Sequence, residues 1–147
     1  MSWLKAMREK EPPEPVNPIG VVVIGTLYPE VMDTAKHMVR KSLKLAQFKT
    51  FDVGKGVSPA TFVSKAKEVN ADIIVVSVLL TAAKENLPKL VAAMDLEGLK
   101  DKIAIIIGGA AVTKEDADKI GALFGTTRED AVVLAKKVVE QKQKKAQ

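Results

Sequence analysis

Three short runs carry residues whose types and spacing could hold a ligand. The first, Tyr28-Pro29-Glu30-Val31-Met32-Asp33-Thr34-Ala35, sets a methionine beside two carboxylates. A thioether is soft and accepts hydrogen bonds weakly, so Met32 cannot act as the strong donor that an imidazole would be. The second run is Ser77-Val78-Leu79-Leu80-Thr81. A serine hydroxyl there can bond a ligand or satisfy a neighbouring backbone group. The third, Gly108-Gly109-Ala110-Ala111, either lets backbone approach a large ligand closely or simply makes a turn. Residue types alone leave both choices open.

Other chemistries are poorly supplied. The chain has no cysteine, which removes disulfides, zinc-thiolate and iron–sulfur sites and any thiol nucleophile. His37 is the single histidine and falls mid-helix, so no Ser-His-Asp set can be assembled. No Gly-x-Gly-x-x-Gly or Gly-Lys-Ser/Thr run is present, against dinucleotide and P-loop sites. A receiver domain would want an aspartate where Ser77 stands, and the run after the first strand lacks a Ser/Thr-rich phosphate cradle for a flavin nucleotide.

The elements that must position these runs are legible from periodicity. Ile19–Thr26 is a continuous apolar run, as expected of a strand covered on both faces. Met32–Ala46 carries Met32, Ala35, Met38, Val39, Leu43 and Ala46 at helical spacing. Phe48–Val53 reads as a second strand closed by Gly54 and Gly56, and Ser58-Pro59 opens a helix with a cap and a first-turn proline. Ala71–Ser77 is a third strand, Lys84–Met94 a helix and Ile103–Ile107 a fourth strand. Thr113 caps a short helix over Lys114–Ile120, and Ala122–Phe124 leads to a last helix over Arg128–Lys144. Alternating strands and helices imply a doubly wound five-stranded parallel α/β sheet, with the flavodoxin-like order 2-1-3-4-5. All three runs then sit at the carboxyl ends of strands, around the switch point where such sheets bind ligands.

Length allows one domain: residues 1–18 read as a short helical piece and a proline-rich linker, and residues 19–147 as the domain itself. Nearly half the residues are apolar and 28% are charged, the profile of an ordinary globular protein. No apolar run is long enough to span a bilayer, and the N-terminus lacks the apolar stretch of a secretory signal, so a cytoplasmic protein without a membrane role is expected. The net charge of +5 owes much to Lys136, Lys137, Lys142, Lys144 and Lys145, a solvated face favoured by the helix dipole. No aromatic platform accompanies those lysines, so nucleic acid is not an expected partner.

Taken together, VVVIGTLYPEVMDTAKHMV, FDVGKGVSPATFVSKAKEVNADIIVVSVLLT and DKIAIIIGGAAVTKEDADKIGA resemble the cobalamin-binding domains of corrinoid-dependent methyltransferase systems. Small subunits of adenosylcobalamin mutases share that fold. The Ser-x-Leu motif matches at Ser77 and Leu79 and the Gly-Gly motif at Gly108 and Gly109, while Asp52, Gly54 and Pro59 match the Asp-x-Gly and helix-opening proline. The resemblance implies that the serine contacts the nucleotide tail of the cofactor and that the glycines line the slot receiving it. The family's Asp-x-His-x-x-Gly is altered: Glu30, Met32 and Ala35 occupy its three signature positions, and Pro29 replaces the preceding glycine.

The implied cofactor is therefore cobalamin held base-off, with no histidine below the cobalt. His37 would stand about 140° around the helix from Met32, off the cobalt-facing side. Expected cofactor contacts are Glu30, Met32, Asp33, Ala35, Ser77, Leu79, Thr81, Gly108, Gly109 and Ala110, with no catalytic residue and no protein metal ligand. The expected role is a non-catalytic carrier working with a methyltransferase or a corrinoid-reducing protein. Trp3, Leu4 and Met7 would form an apolar dock for that partner or fold back on the domain. The alternatives are a mutase small subunit, or a fold that has lost cobalamin and serves as a binding module.

Overall fold

A computed structural model describes residues 8–146. The helical piece expected around Trp3, Leu4 and Met7 lies outside the described residues. Five strands form one parallel sheet: β1 (Gly20–Leu27), β2 (Phe48–Val57), β3 (Ile73–Ser77), β4 (Ala104–Gly108) and β5 (Leu123–Phe124). Their order is 2-1-3-4-5, as the alternating pattern implies. Among the described residues the helices are α1 (Thr34–Leu45), α2 (Pro59–Glu68), α3 (Thr81–Lys84), α4 (Leu87–Leu96), α5 (Lys114–Ile120) and α6 (Arg128–Ala146).

Alternation along the strands divides the core into two layers. Val22, Ile24, Ile73, Val75 and Ile106 pack under α1 and α6 with Leu43, Phe48, Ala135 and Val139. Val23, Leu27, Ile74, Val76, Ile105 and Ile107 pack on the opposite face with Phe62, Leu90 and Met94 of α2 and α4. Burying each such Val, Ile or Leu contributes roughly 1.5–3 kcal/mol, so the continuous apolar runs are what fix both layers. Ser58 accepts from the Thr61 amide at the start of α2, and a reciprocal capping box between Thr113 and Asp116 opens α5.

Three differences from the periodicity bear on the site. β2 does not stop at Val53 but runs to Val57, because two register shifts against β1 absorb Gly54 and Gly56, and Thr26 Oγ1 accepts from the Gly56 amide at 2.8 Å. The helix expected over Lys84–Met94 is two helices, α3 and α4, broken before the proline at the start of α4. The helix expected from Met32 begins at Thr34. Met32 therefore lies in a loop, and the helical-wheel placement of His37 relative to it does not apply.

Residues 9–14 lie against the domain rather than away from it. Glu11 takes both Nη groups of Arg40 at 2.6 and 2.7 Å and Lys44 Nζ at 2.7 Å. Glu14 pairs with Lys44 at 3.0 Å and Lys49 at 2.8 Å, and Pro12 is buried.

Candidate cofactor-binding site

The carboxyl ends of β1, β3 and β4 open into a slot of about 400 Å³ between the sheet and the two helices α1 and α6. Its inner wall is apolar, made by Ile24, Val39, Val75, Ile106 and Ala131, and its rim carries Ser77, Thr126 and Thr127. The volume falls in the range of about 300–1,000 Å³ found for pockets that bury small ligands. It lies at the switch point between β1 and β3, where neighbouring crossovers turn to opposite faces of the sheet.

Backbone geometry explains the glycine pair. Ser77 is register partner of Gly108, and the Val78 amide donates to the Gly108 carbonyl at 2.8 Å. A side-chain carbon on Gly108 would collide with the Gly125 carbonyl oxygen. Gly109 has φ +119°, and a Cβ there would sit 2.7 Å from the Val78 carbonyl carbon and 2.9 Å from its nitrogen. Close packing of the loops after β3, β4 and β5 thus requires both glycines, and it leaves their bare backbone along the slot.

The loop after β1 departs from the arrangement its sequence suggests. Glu30 is 1% exposed, and its Oε1 accepts from the amides of Leu79 at 2.6 Å and Leu80 at 2.9 Å. The carboxylate therefore ties the loop after β1 to the loop after β3. Its Oε2 is buried with no partner in the structure. Asn86 Nδ2 donates to the Tyr28 carbonyl at 2.5 Å, a second tie on the same loop, whose Tyr28–Pro29 peptide is cis. Between these anchors the side chains of Tyr28, Val31 and Met32 project into solvent, Met32 with 53% of its surface exposed; Leu80 is exposed on the facing loop.

His37 is engaged elsewhere. Its Nε2 lies 3.4 Å from Asp33 Oδ2, and its Nδ1 accepts from Arg40 Nε at 3.3 Å. Beside it Lys36, 2% exposed, donates to Asp52 Oδ1 at 2.9 Å. That same Asp52 oxygen accepts from the Gly54 amide at 2.8 Å, which gives the Asp-x-Gly run a local function in shaping β2.

Of the expected contacts, Ala35, Ser77, Gly108 and Gly109 line the slot. Glu30 supports it through backbone, Asp33 stands at the N-cap position of α1 beside His37, and Met32, Leu79, Thr81 and Ala110 stand outside it. Sequence reasoning missed the opposite wall, Gly125-Thr126-Thr127-Arg128, contributed by the loop after β5 and the start of α6. The signal was available: this run also follows a strand's carboxyl end. Asp130 accepts from the Thr126 hydroxyl and amide at 2.6 and 2.9 Å, and these bonds hold its carboxyl below the usual range.

The B12-binding domain family model matches residues 20–136, most of the chain, and the matched segment contains every wall of this slot. The chain belongs to the B12-binding domain family. The cofactor of this domain is a corrinoid, cobalamin. The slot's chemistry fits such a group, with an apolar interior, a polar rim of Ser77, Thr126 and Thr127, and bare glycine backbone along one wall.

Among its relatives are a dimethylamine corrinoid protein of Methanosarcina barkeri, 38% identical over 122 residues, covering 82% of this chain and 57% of the relative. Trimethylamine corrinoid protein 1 of Methanosarcina acetivorans is 38% identical over 133 residues, covering 90% of this chain and 61% of the relative. The chain thus spans less than two thirds of these relatives' length. A cobalamin-binding protein of Desulfitobacterium hafniense superposes with a TM-score of 0.78 at 31% identity, covering 81% of this chain and 58% of the other. The methanol:cobalamin methyltransferase complex of Methanosarcina barkeri gives 0.80 at 19% identity, covering 84% of this chain and 48% of the other, a likeness of fold alone.

Proposed function

We propose that this domain is a corrinoid carrier of a methyl-transfer system, binding cobalamin with the nucleotide tail in the slot and no protein histidine beneath the cobalt. The observation that carries the reading is the preformed slot at the β1–β3 switch point, open between α1 and α6. Its likeness to methylamine corrinoid proteins supports the methyl-transfer assignment over a mutase subunit. The intact slot favours retention of the cofactor over a fold repurposed as a binding module.

Bound cobalamin would supply a cobalt that accepts and donates a methyl group, and the lack of a lower nitrogen donor would favour its reduced Co(I) state. The chain's own residues hold and orient. Ser77 offers a hydroxyl to the nucleotide tail, and the Gly108–Gly109 backbone allows its close approach. Ile24, Val75 and Ile106 would exclude water from a base seated between them. Tyr28, Val31, Met32 and Leu80 present an exposed apolar platform on which the ring's lower face would rest. The catalysis itself belongs to partners: a methyltransferase that covers the upper face, and a protein that re-reduces the corrinoid. We place the work of the complex in the cytoplasm; no described helix is long and apolar enough to cross a membrane.

Purified protein mixed with hydroxocobalamin and freed of unbound cofactor should keep a stoichiometric corrinoid with a base-off absorption spectrum. The Met32→His variant should convert that spectrum to a histidine-ligated one. A folded protein that retains no corrinoid in any oxidation state would sink the proposal.

A further inference from the structure

The two helices that flank the slot are joined by a residue outside the sheet-and-helix framework. The backbone carbonyl of Glu9 accepts from Lys41 Nζ on α1 at 2.9 Å. Its carboxylate accepts from Nη1 and Nη2 of Arg128, the first residue of α6, at 3.0 and 2.8 Å. Arg128 Nε in turn donates to Ser42 Oγ on α1. Met38 and Val39 line the slot, and Ser42 lies one turn further along the same helix face. Arg128 itself lines the slot and is 9% exposed, and its guanidinium is held between Ser42 of α1 and Glu9 of the arm.

A guanidinium this buried is tolerated only with a charge partner and good hydrogen bonds. The parallel fork of two N–H groups onto one carboxylate is the strongest geometry available to it. Glu11 on Arg40 and Lys44, and Glu14 on Lys44 and Lys49, pin the same arm along α1 and β2. The arm is thus attached chiefly by carboxylates, through a point that shapes the slot.

We propose that residues 9–14 form a latch on the slot: Glu9 is a positioning residue that fixes Arg128 in the slot's wall, so that arm attachment and occupancy of the slot stabilise each other. This rests on the reading that the slot receives the cofactor's nucleotide tail. Coupling of this kind is reciprocal, so filling the slot must strengthen arm attachment by the same factor by which the arm strengthens binding.

The test uses the full chain, with hydrogen exchange read in residues 8–16, 38–45 and 128–132, with and without hydroxocobalamin. Glu9→Gln should raise exchange in all three segments of the free protein. It should also speed hydroxocobalamin dissociation by at least about fivefold, the low end of measured couplings between sites. Glu9→Asp, which keeps the charge, should recover most of both, and in the wild type bound cofactor should slow exchange of residues 8–16. Unchanged exchange at 38–45 and 128–132 in Glu9→Gln overturns the latch, as does bound cofactor that leaves residues 8–16 unaffected. If the wild type retains no cobalamin, the cofactor reading fails by itself, and exchange in free Glu9→Gln decides the latch alone: raised supports it, unchanged overturns it.

Discussion

Glu30 is the residue on which the loops at the strand ends depend, and its removal has a calculable effect. Glu30→Ala takes the shared acceptor from the Leu79 and Leu80 amides, now at 2.6 and 2.9 Å. Each bond to a charged group contributes roughly 1.5–3 kcal/mol when its loss leaves a buried donor unpaired. Against that, Oε2 is buried without a partner, and deleting it relieves roughly 1–3 kcal/mol of desolvation cost. The balance centres on a destabilisation of about 2.5 kcal/mol, or roughly 5–10 °C in Tm for a domain of this size. Glu30→Gln keeps one oxygen for both amides and loses only the charge, so it should cost about half as much. Urea unfolding followed by circular dichroism at fixed pH and salt measures both. An alanine variant within about 0.5 kcal/mol of wild type, the scatter of neutral substitutions, would refute the assignment. So would a glutamine variant as unstable as the alanine one, because the acceptor geometry would then not be what matters.

Two further outcomes follow from the structure. Gly109→Ala should destabilise well beyond Gly98→Ala: both positions have positive φ, costing about 1–2 kcal/mol for a side chain, but only at Gly109 does the new carbon meet backbone, while at Gly98 nothing lies within 4 Å. Equal thermal shifts for the two would show that the loops after β3 and β4 are not in close contact. Arm attachment should depend on acid: hydrogen bonds from Arg40 and Lys44 lower the Glu11 carboxyl from its ordinary 4.5 to about 2. A carboxyl lowered in the attached state contributes above its free value, so protection factors in residues 8–16 should hold above pH 4.5 and fall progressively towards pH 2. Glu11→Gln should flatten that dependence; equal protection at pH 3 and pH 7 in the wild type would contradict it.

The sheet was legible because each of its central strands is an unbroken apolar run, and only a strand buried on both faces needs that. Ser77 and the glycine pair could be placed at strand ends for the same reason. What periodicity could not give was local chemistry overriding pattern. Met32 continues the apolar spacing of α1, yet Glu30, turned inward to two amides, holds the backbone before it out of the helix. β2 continues past two glycines because a hydroxyl on the neighbouring strand and register shifts accommodate them. The pairing of Glu9 with Arg128, a slot-lining residue 119 positions away, is one that no spacing rule connects. The proline-rich segment read as a linker because prolines report backbone stiffness and say nothing about the glutamates between them.

The loop from Tyr28 to Asp33 is anchored at Glu30 and at the Tyr28 carbonyl, while Met32 between β1 and α1 packs into neither core layer. The identity of the side chain there is consequently free of the demands that folding makes on its neighbours. On the proposed reading, in which this side chain lies beneath the cobalt, exchanging it would change the group offered to the metal and leave the sheet and both core layers as they are.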